Sequence, residues 1–354
     1  MLRPCFFYAV FMFLVGCSTI PPVQKGQTLS EYLEAINFSG SVLVSRNNEI
    51  IHSSGHGFAS KEKLIPNTPE TQFYIASLTK QFTALAIMQL QEQKLLNIND
   101  SIINYLPDFP DGSEITIKHL LTYSAGLYDF TDEWANIKEL DLSTQDIVDI
   151  FKQKPLDFEP GSKVRYSSSG YILAGLIIEK VSGMSYANYI ESQIFYPLSM
   201  IRSSYRYSVN DSLSKAVGYK KGAPQQSVNM LIPYAAGSLT SSVTDLYLWD
   251  QSFYESTLVR RSSLEDIFQN DRSSLGTGFG EGNFKVVMGL GWGIYETKLG
   301  PEYSHTGGVD GFSAVISRYP KSKALIVILS NEDRVNVNKL KNRISELILT
   351  KEKT

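Results

Sequence analysis

Cysteine is nearly absent from this sequence: of 354 residues only Cys5 and Cys17 carry thiols, both within the first seventeen positions. Two thiols so placed exclude a disulfide framework and a cysteine-based zinc site. Basic charge is in short supply too, with 33 Lys and Arg against 36 Asp and Glu and a net charge of −3. That balance gives no electrostatic footprint for a polyanion and excludes nucleic acid as a partner. Several chemistry-bearing patterns are missing: there is no G-x-S-x-G elbow, no Walker A loop, no H-E-x-x-H helix and no C-x-x-C pair. Histidine is sparse, at positions His52, His56, His119 and His305. His52 and His56 stand four apart with no third ligand nearby, so they read as surface side chains and no metal is expected. No cofactor is expected either. What is present is ordinary for a folded protein, with 43% hydrophobic and 19% charged residues. That composition excludes a disordered chain. The length suits two domains of ~100–200 residues, or one with an insertion.

The N-terminus reads as an export signal. Arg3 precedes ten uninterrupted apolar residues, Phe6 to Val15. A membrane-spanning helix needs ~20, so ten suits a secretory signal instead. The segment Leu14-Val15-Gly16-Cys17 resembles a bacterial lipobox, cut before a cysteine that becomes acylated. Residues 1–16 are then a signal peptide, Cys17 the lipidation site and 17–27 a polar, proline-containing tether. Ser18 follows the cysteine in place of Asp. In a Gram-negative cell that predicts an outer-membrane anchor facing the periplasm.

Strand signals sit at both ends of the chain. Gly40–Ser45 and Glu49–Ser53 are β-branched runs joined by Arg46-Asn47-Asn48 and predict a hairpin. Further strands are expected at 290–295, 312–319 and 324–330, with a closing helix over 339–349. Between them the pattern is mostly helical: 78–93, 116–121, 143–153, 170–182 and 185–196. Residues 60–72 read as loop, as do the glycine-rich residues 273–283. The hairpin has no strand partners until residue 290, so the simplest architecture is one antiparallel sheet built from both chain ends. The expected class is α/β of the α+β type. Residues 28–75 and 225–354 form a sheet-containing domain, 76–224 an inserted and mostly helical one, with the active site in the cleft between them.

S-x-x-K occurs at Ser60/Lys63, Ser77/Lys80 and Ser212/Lys215. Only Ser77-Leu-Thr-Lys80 opens a well-formed helix, with Leu78, Phe82, Leu85 and Met88 as its apolar stripe. Residues i and i+3 share a helix face, so the Lys80 amine can reach the Ser77 hydroxyl. A hydroxyl needs such an adjacent base to act as a nucleophile. The alternative is that Ser77 caps the helix and Lys80 is solvated. Downstream, Tyr166-Ser-Ser168 precedes another helix, and a phenol beside a lysine can serve as acid or base. Among 20 tyrosines, a packed aromatic is the plain alternative. His305-Thr306-Gly307-Gly308 follows a strand candidate as a small-residue turn whose N–H groups can approach a substrate. Its alternative is an ordinary hairpin turn.

In that order, S-x-x-K, Y-x-S and H-T-G resemble the serine β-lactamase and penicillin-binding-protein superfamily. The branch they look most like holds class C β-lactamases, DD-peptidases, D-aminopeptidases and esterases. Leu120–Leu127, Ile194–Met200 and Ala236–Trp249 also look like segments of that branch. The resemblance implies a β-lactamase/DD-peptidase-like fold and acyl-enzyme chemistry on an amide or ester. It implies Ser77 as the acylated nucleophile, Lys80 as its proton acceptor or relay, and Tyr166 as their partner. It implies an oxyanion hole from the backbone N–H groups of Ser77 and Gly308. Ser168, His305, Thr306 and Gly307 would bind substrate, a cell-wall-related D-amino-acid peptide or a small ester. Two positions depart from the branch. Ser168 stands where an Asn is usual, which weakens recognition of an acylamido group. His305 stands where β-lactamases have Lys. A histidine titrates near ~6.5, so affinity for an anionic substrate is expected to fall as pH rises. There is no E-x-x-L-N segment. A β-lactamase proper and a non-turnover penicillin-binding lipoprotein remain the alternatives. The chain is expected to act as a monomer.

Overall fold

In this computed structural model the described residues are 20–24, 26–207, 215–225, 228–268, 275–277, 285–333 and 335–349. The signal peptide, Cys17, Ser212 and most of 273–283 lie outside them. The first hairpin forms as its sequence predicts: β1 (Gly40–Arg46) and β2 (Glu49–His56) turn at Asn47 and Asn48, both with positive φ. Three small ribbons follow. One pairs β3 (Phe58–Ser60) with β4 (Ile65–Pro66), a strand within the expected loop. Another joins β5 (Phe73–Tyr74), β6 (Ser204–Tyr205) and a later strand, and a third pairs β7 (Tyr219–Lys220) with β8 (Ala223–Pro224). The strand between β5 and β6 is β9 (Leu239–Ser241).

The remaining strands are β10 (Leu275–Thr277), β11 (Lys285–Met288), β12 (Gly293–Thr297), β13 (Gly300–Val309), β14 (Phe312–Tyr319) and β15 (Ala324–Ser330). They build one antiparallel sheet in the order β10-β11-β12-β13-β14-β15-β1-β2. The two chain ends meet at β1–β15, where Gly40 faces Ser330 and Leu43 faces Val327. Three expectations are corrected. Residues 275–277 are strand, not loop. The strand expected at 290–295 starts only at Gly293. The segment read as a turn, His305 to Gly308, lies inside β13; the turn itself is at Asp310-Gly311, where Gly311 has φ +88°. Glycines and serines hid a strand whose small residues answer to close backbone approach, not to a bend.

The sheet is covered on both faces, and the period of two sorts its side chains. Leu43, Ala314, Ile316, Leu325, Val327 and Leu329 enter one core; Val42, Val44, Val315, Ala324, Ile326 and Ile328 enter the other. The smaller core is closed by α1 (Leu29–Ala35) and, at the far end of the chain, by α11 (Val337–Ile344). The larger core holds α2 (Thr79–Glu92), α3 (Ile117–Leu121), α4 (Trp134–Ile137), α5 (Thr144–Lys152), α6 (Ser169–Ser182), α7 (Tyr186–Ile190), α8 (Tyr234–Gly237), α9 (Val243–Glu255) and α10 (Arg261–Ile267). α2 differs from its expected one-sided stripe: every residue from Thr79 to Leu90 is buried, polar ones included. A helix enclosed all round must satisfy its polar side chains internally. No helix among the described residues is long and apolar enough to cross a membrane.

One buried ion pair pins the helical layer to the sheet. Arg318 Nε of β14 donates to Asp250 Oδ1 of α9 at 2.7 Å, with both side chains buried. The guanidinium lies over the rings of Phe253, Tyr254 and Phe268 at 4.8 to 5.0 Å. Removing one partner leaves the other charge buried and unpaired. Asp250→Ala is therefore expected to lower unfolding free energy by about 3–5 kcal/mol in urea titration, and Asp250→Leu with Arg318→Met to recover most of that loss. Equal losses in the single and double variants contradict this.

Candidate active site

The approach to Ser77 is fixed before the helix starts. β5 pairs with β9, and Ile75 N–H donates to Leu239 O at 3.1 Å. Ala76 then takes φ +45°, a left-handed conformation that costs an L-residue ~1–3 kcal/mol and persists only under constraint. A 3₁₀ turn, Ala76–Leu78, holds Ser77 two residues ahead of Thr79, the first residue of α2. Ser77 does not cap α2, whose N-cap is Leu78 with no side-chain hydrogen bond. Its hydroxyl instead accepts from Tyr166 Oη at 2.7 Å and from Lys80 Nζ at 3.2 Å.

Lys80 is fully buried, not solvated. Its amine donates to Ser77 Oγ, to Ser168 Oγ at 3.3 Å and to the Ala236 carbonyl at 2.8 Å. The rings of Tyr166 and Tyr171 lie 5.0 and 5.6 Å from Nζ. By contrast, in the Ser60/Lys63 pair it is the Lys63 backbone N–H, not the amine, that reaches Ser60 Oγ. The carbonyl that receives Lys80 belongs to α8, whose approach to α6 depends on Gly175: a Cβ there would lie 2.5 Å from the Ala235 Cβ. Thr83 Oγ1 donates to the Ala235 carbonyl at 2.7 Å and ties α8 to α2.

Tyr166 and Ser168 enter from the segment before α6. Ser168 N–H donates to Asp129 Oδ1 at 3.2 Å, and Thr131 N–H to the same oxygen at 3.1 Å. Ser169 Oγ donates to the Tyr128 carbonyl at 2.7 Å and accepts from Phe130 N–H at 3.0 Å. These bonds lock loop 128–131 to the start of α6 and set Phe130 and Thr131 beside the serine. The Tyr166 ring stacks on Tyr123 at 4.9 Å.

β13 supplies the opposite wall. β12 pairs with it only from Gly300 to Ser304, whereas β14 pairs from Tyr303 to Val309. Among the described residues, His305 to Val309 thus have a strand neighbour on one side only. Gly307 lets Ser77's turn seat against this edge, since a Cβ on it would lie 2.1 Å from the Ile75 carbonyl oxygen. Gly308 is exposed and has open space where a Cβ would stand. Ser77, Tyr166, Ser168 and Gly308 line one cavity of about 290 Å³, closed by Phe130, Trp134, Pro233 and Val309. Lys80 lies behind it. Thr306, Gly307 and His305 are not in its wall.

His305 corrects an expectation. It is buried, and desolvation, reinforced by the nearby Lys80 charge, pushes its pKa down to about 3. Its Nδ1 is 2.7 Å from the Thr306 carbonyl, which can only accept, so Nδ1 carries the proton. Nε2 then accepts from Tyr123 Oη at 3.1 Å. The phenol is held protonated by burial, well above its ordinary range. His305 is a neutral strut between β13 and Tyr123, not a titrating cation for a substrate carboxylate. His52 and His56 occupy one face of β2 and both bond Ser54 Oγ, at 2.7 and 2.8 Å.

Four contributors escaped the sequence. Tyr123 lay inside a segment already singled out, Leu120–Leu127. Ala236 opens another such segment, Ala236–Trp249, but acts through its carbonyl, and Asp129, whose carboxylate accepts from Ser168 and Thr131, carries no motif. Trp134 is one aromatic among many.

A serine hydroxyl between a buried amine and a phenol, opening on a cavity beside an exposed strand edge, is the equipment of a serine hydrolase. A sequence model of the family described as Beta-lactamase matches residues 27–350. The chain is 31% identical over 335 residues to a putative penicillin-binding protein of Bacillus subtilis (strain 168), covering 93% of this chain and 80% of that one. The fold matches a penicillin-binding protein from Bacillus halodurans with a TM-score of 0.78 and 27% identity over 89% of this chain and 98% of that one. It matches an octameric penicillin-binding protein homologue from Pyrococcus abyssi with a TM-score of 0.77 and 28% identity, over 90% and 74%. The chain belongs to the β-lactamase family. It is a serine hydrolase of that family, acting on amides or esters.

The neutral His305 has a consequence for stability. Its folded pKa is depressed from 6.5 to about 3, so the unfolded chain binds its proton first as pH falls. The stability it contributes is present above pH 6.5 and is lost as pH drops towards 3. Urea unfolding between these limits is expected to show His305→Gln losing less stability than the wild type. Parallel losses contradict the buried neutral state.

Proposed function

We propose that Ser77 is the nucleophile of an acyl-enzyme hydrolase, supported above all by the 2.7 and 3.2 Å bonds that hold its hydroxyl between Tyr166 and Lys80. Ser77 Oγ adds to the carbonyl carbon of an amide or ester, and its proton leaves through the Lys80–Tyr166 pair. The carbonyl oxygen, now negative, is held by the backbone N–H groups of Ser77 and Gly308, each donor worth ~2.7–4 kcal/mol. The C–N or C–O bond breaks as the departing amine or alcohol takes the proton. Water then adds to the acyl carbon, its proton passing by way of Tyr166 to Ser77 Oγ as the Oγ–acyl bond breaks. The acid product leaves and the Ser77 hydroxyl is restored.

Ser77, Lys80, Tyr166 and Ser168 come from residues 76–224, and Ala236 and Gly308 from 225–354. Both segments contribute, as a cleft between two such domains requires. All of them belong to one chain, which supports a site that a monomer can complete. The substrates we favour are D-amino-acid peptides related to the cell wall, or small esters, with Ser168 and Gly308 of the cavity wall beside them. We also propose that Cys17 carries a lipid that anchors the exported enzyme to the envelope. Cys17→Ala is then expected to move the protein from the membrane pellet to the soluble fraction, and an unchanged pellet contradicts the anchor.

A panel of nitrocefin, p-nitrophenyl esters, a D-Ala-D-Ala peptide and a D-aminoacyl anilide tests the chemistry. At least one is expected to turn over, with Ser77→Ala at least ~10⁴-fold slower. A Ser77→Ala rate equal to wild type assigns the nucleophile elsewhere.

A further inference from the structure

We propose that this site selects substrates whose departing group carries no carboxylate: neutral esters, primary amides or internal peptide bonds. The inference rests on the serine-hydrolase reading above and narrows its substrate class.

The cavity wall contains aromatic, aliphatic and hydroxyl side chains, and among the described residues no ionic one. Among the described residues, Lys80, Arg165, Lys138 and Lys220 each have donors engaged. Lys80 stands behind the wall with its donors directed to Ser77, Ser168 and the Ala236 carbonyl. His305 is neutral, with both ring nitrogens engaged. Arg165, next to Tyr166, pairs with Asp157. At the rim, beyond Val309, Lys138 and Lys220 both pair with Asp310. Asp310 thus sits between two ammoniums, and the Lys220 amine also lies in the field of Asp333.

A carboxylate brought against Phe130, Trp134 and Val309 gives up its water and meets no cation in the wall among the described residues; the Lys80 charge lies behind it with its donors already engaged by Ser77, Ser168 and the Ala236 carbonyl. Burial of a charge without a partner is strongly unfavourable. An ester or amide loses far less on entry, because its own polar groups meet Ser77, Ser168, Thr131 and the Gly308 backbone. The same wall favours an apolar departing group.

A matched pair of chromogenic esters reads this directly: p-nitrophenyl acetate and 3-carboxy-4-nitrophenyl acetate, each corrected for its hydroxide rate. The neutral ester is expected to have a kcat/KM higher by about tenfold or more. Val309→Lys, which adds an ammonium to the wall, is expected to shrink that ratio by a similar factor. Equal or faster turnover of the anionic ester by wild type overturns the proposal. A Val309→Lys variant that slows both esters alike, leaving the ratio unchanged, overturns it as well. Failure of the underlying reading looks different: turnover that survives Ser77→Ala, or no turnover and no acyl group on Ser77 with either ester.

Discussion

The structure is organised around one buried amine. An ammonium withdrawn from water needs partners on every side, and Lys80 finds them on three different elements. Ser77 lies one turn back, Ser168 at the head of α6 and the Ala236 carbonyl at the end of α8. Satisfying Lys80 brings these elements to one point. Their arrival places the Ser77 hydroxyl within reach of Tyr166. The requirement also explains why α2 is enclosed all round. An exposed α2 would let water solvate the amine, and its partners would then be optional.

The second constraint is the close seat of Ser77's turn on β13. Gly307 permits a backbone approach that no side chain allows, and Ala76 is held left-handed to make it. The strand edge thus stands beside Ser77 with Gly308 open to the cavity. His305 and Tyr123 brace this wall from behind as a neutral pair. Among the described residues no ionic side chain stands in the cavity wall; the Lys80 ammonium and the Asp129 carboxylate lie outside it, and the surfaces a substrate meets are hydroxyls, backbone and rings. Further out, the Arg318–Asp250 pair ties α9 to the sheet and holds β14, the neighbour on which β13 depends.

Much of this was legible in the sequence. The β1–β2 hairpin, β14, β15 and the helices about the site announced themselves through period and punctuation. Ser77, Lys80 and Tyr166 were visible because their spacing matches known chemistry. What was not legible has physical causes. β13 is written in glycine, serine and threonine, so it lacks the β-branched pattern of a strand although its neighbours fix it as one. α2 shows an apolar stripe, but its polar residues are buried too, and only tertiary packing reveals that. His305 reads as a titratable group by type, while burial and the Lys80 charge make it neutral. The Ala236 carbonyl acts through a main-chain atom and leaves no trace in residue identity, and the Asp129 carboxylate bridges two main-chain N–H groups that only the fold brings to it.

The central claim is that the hydroxyl gathered by Lys80 and Tyr166 takes the acyl group. Acid quenching during ester turnover, followed by proteolysis and mass spectrometry, locates that group on the chain. The account predicts an acyl adduct on the peptide containing Ser77, building up when Tyr166→Phe slows the attack of water. An adduct mapped to another residue, or none while product accumulates, contradicts it.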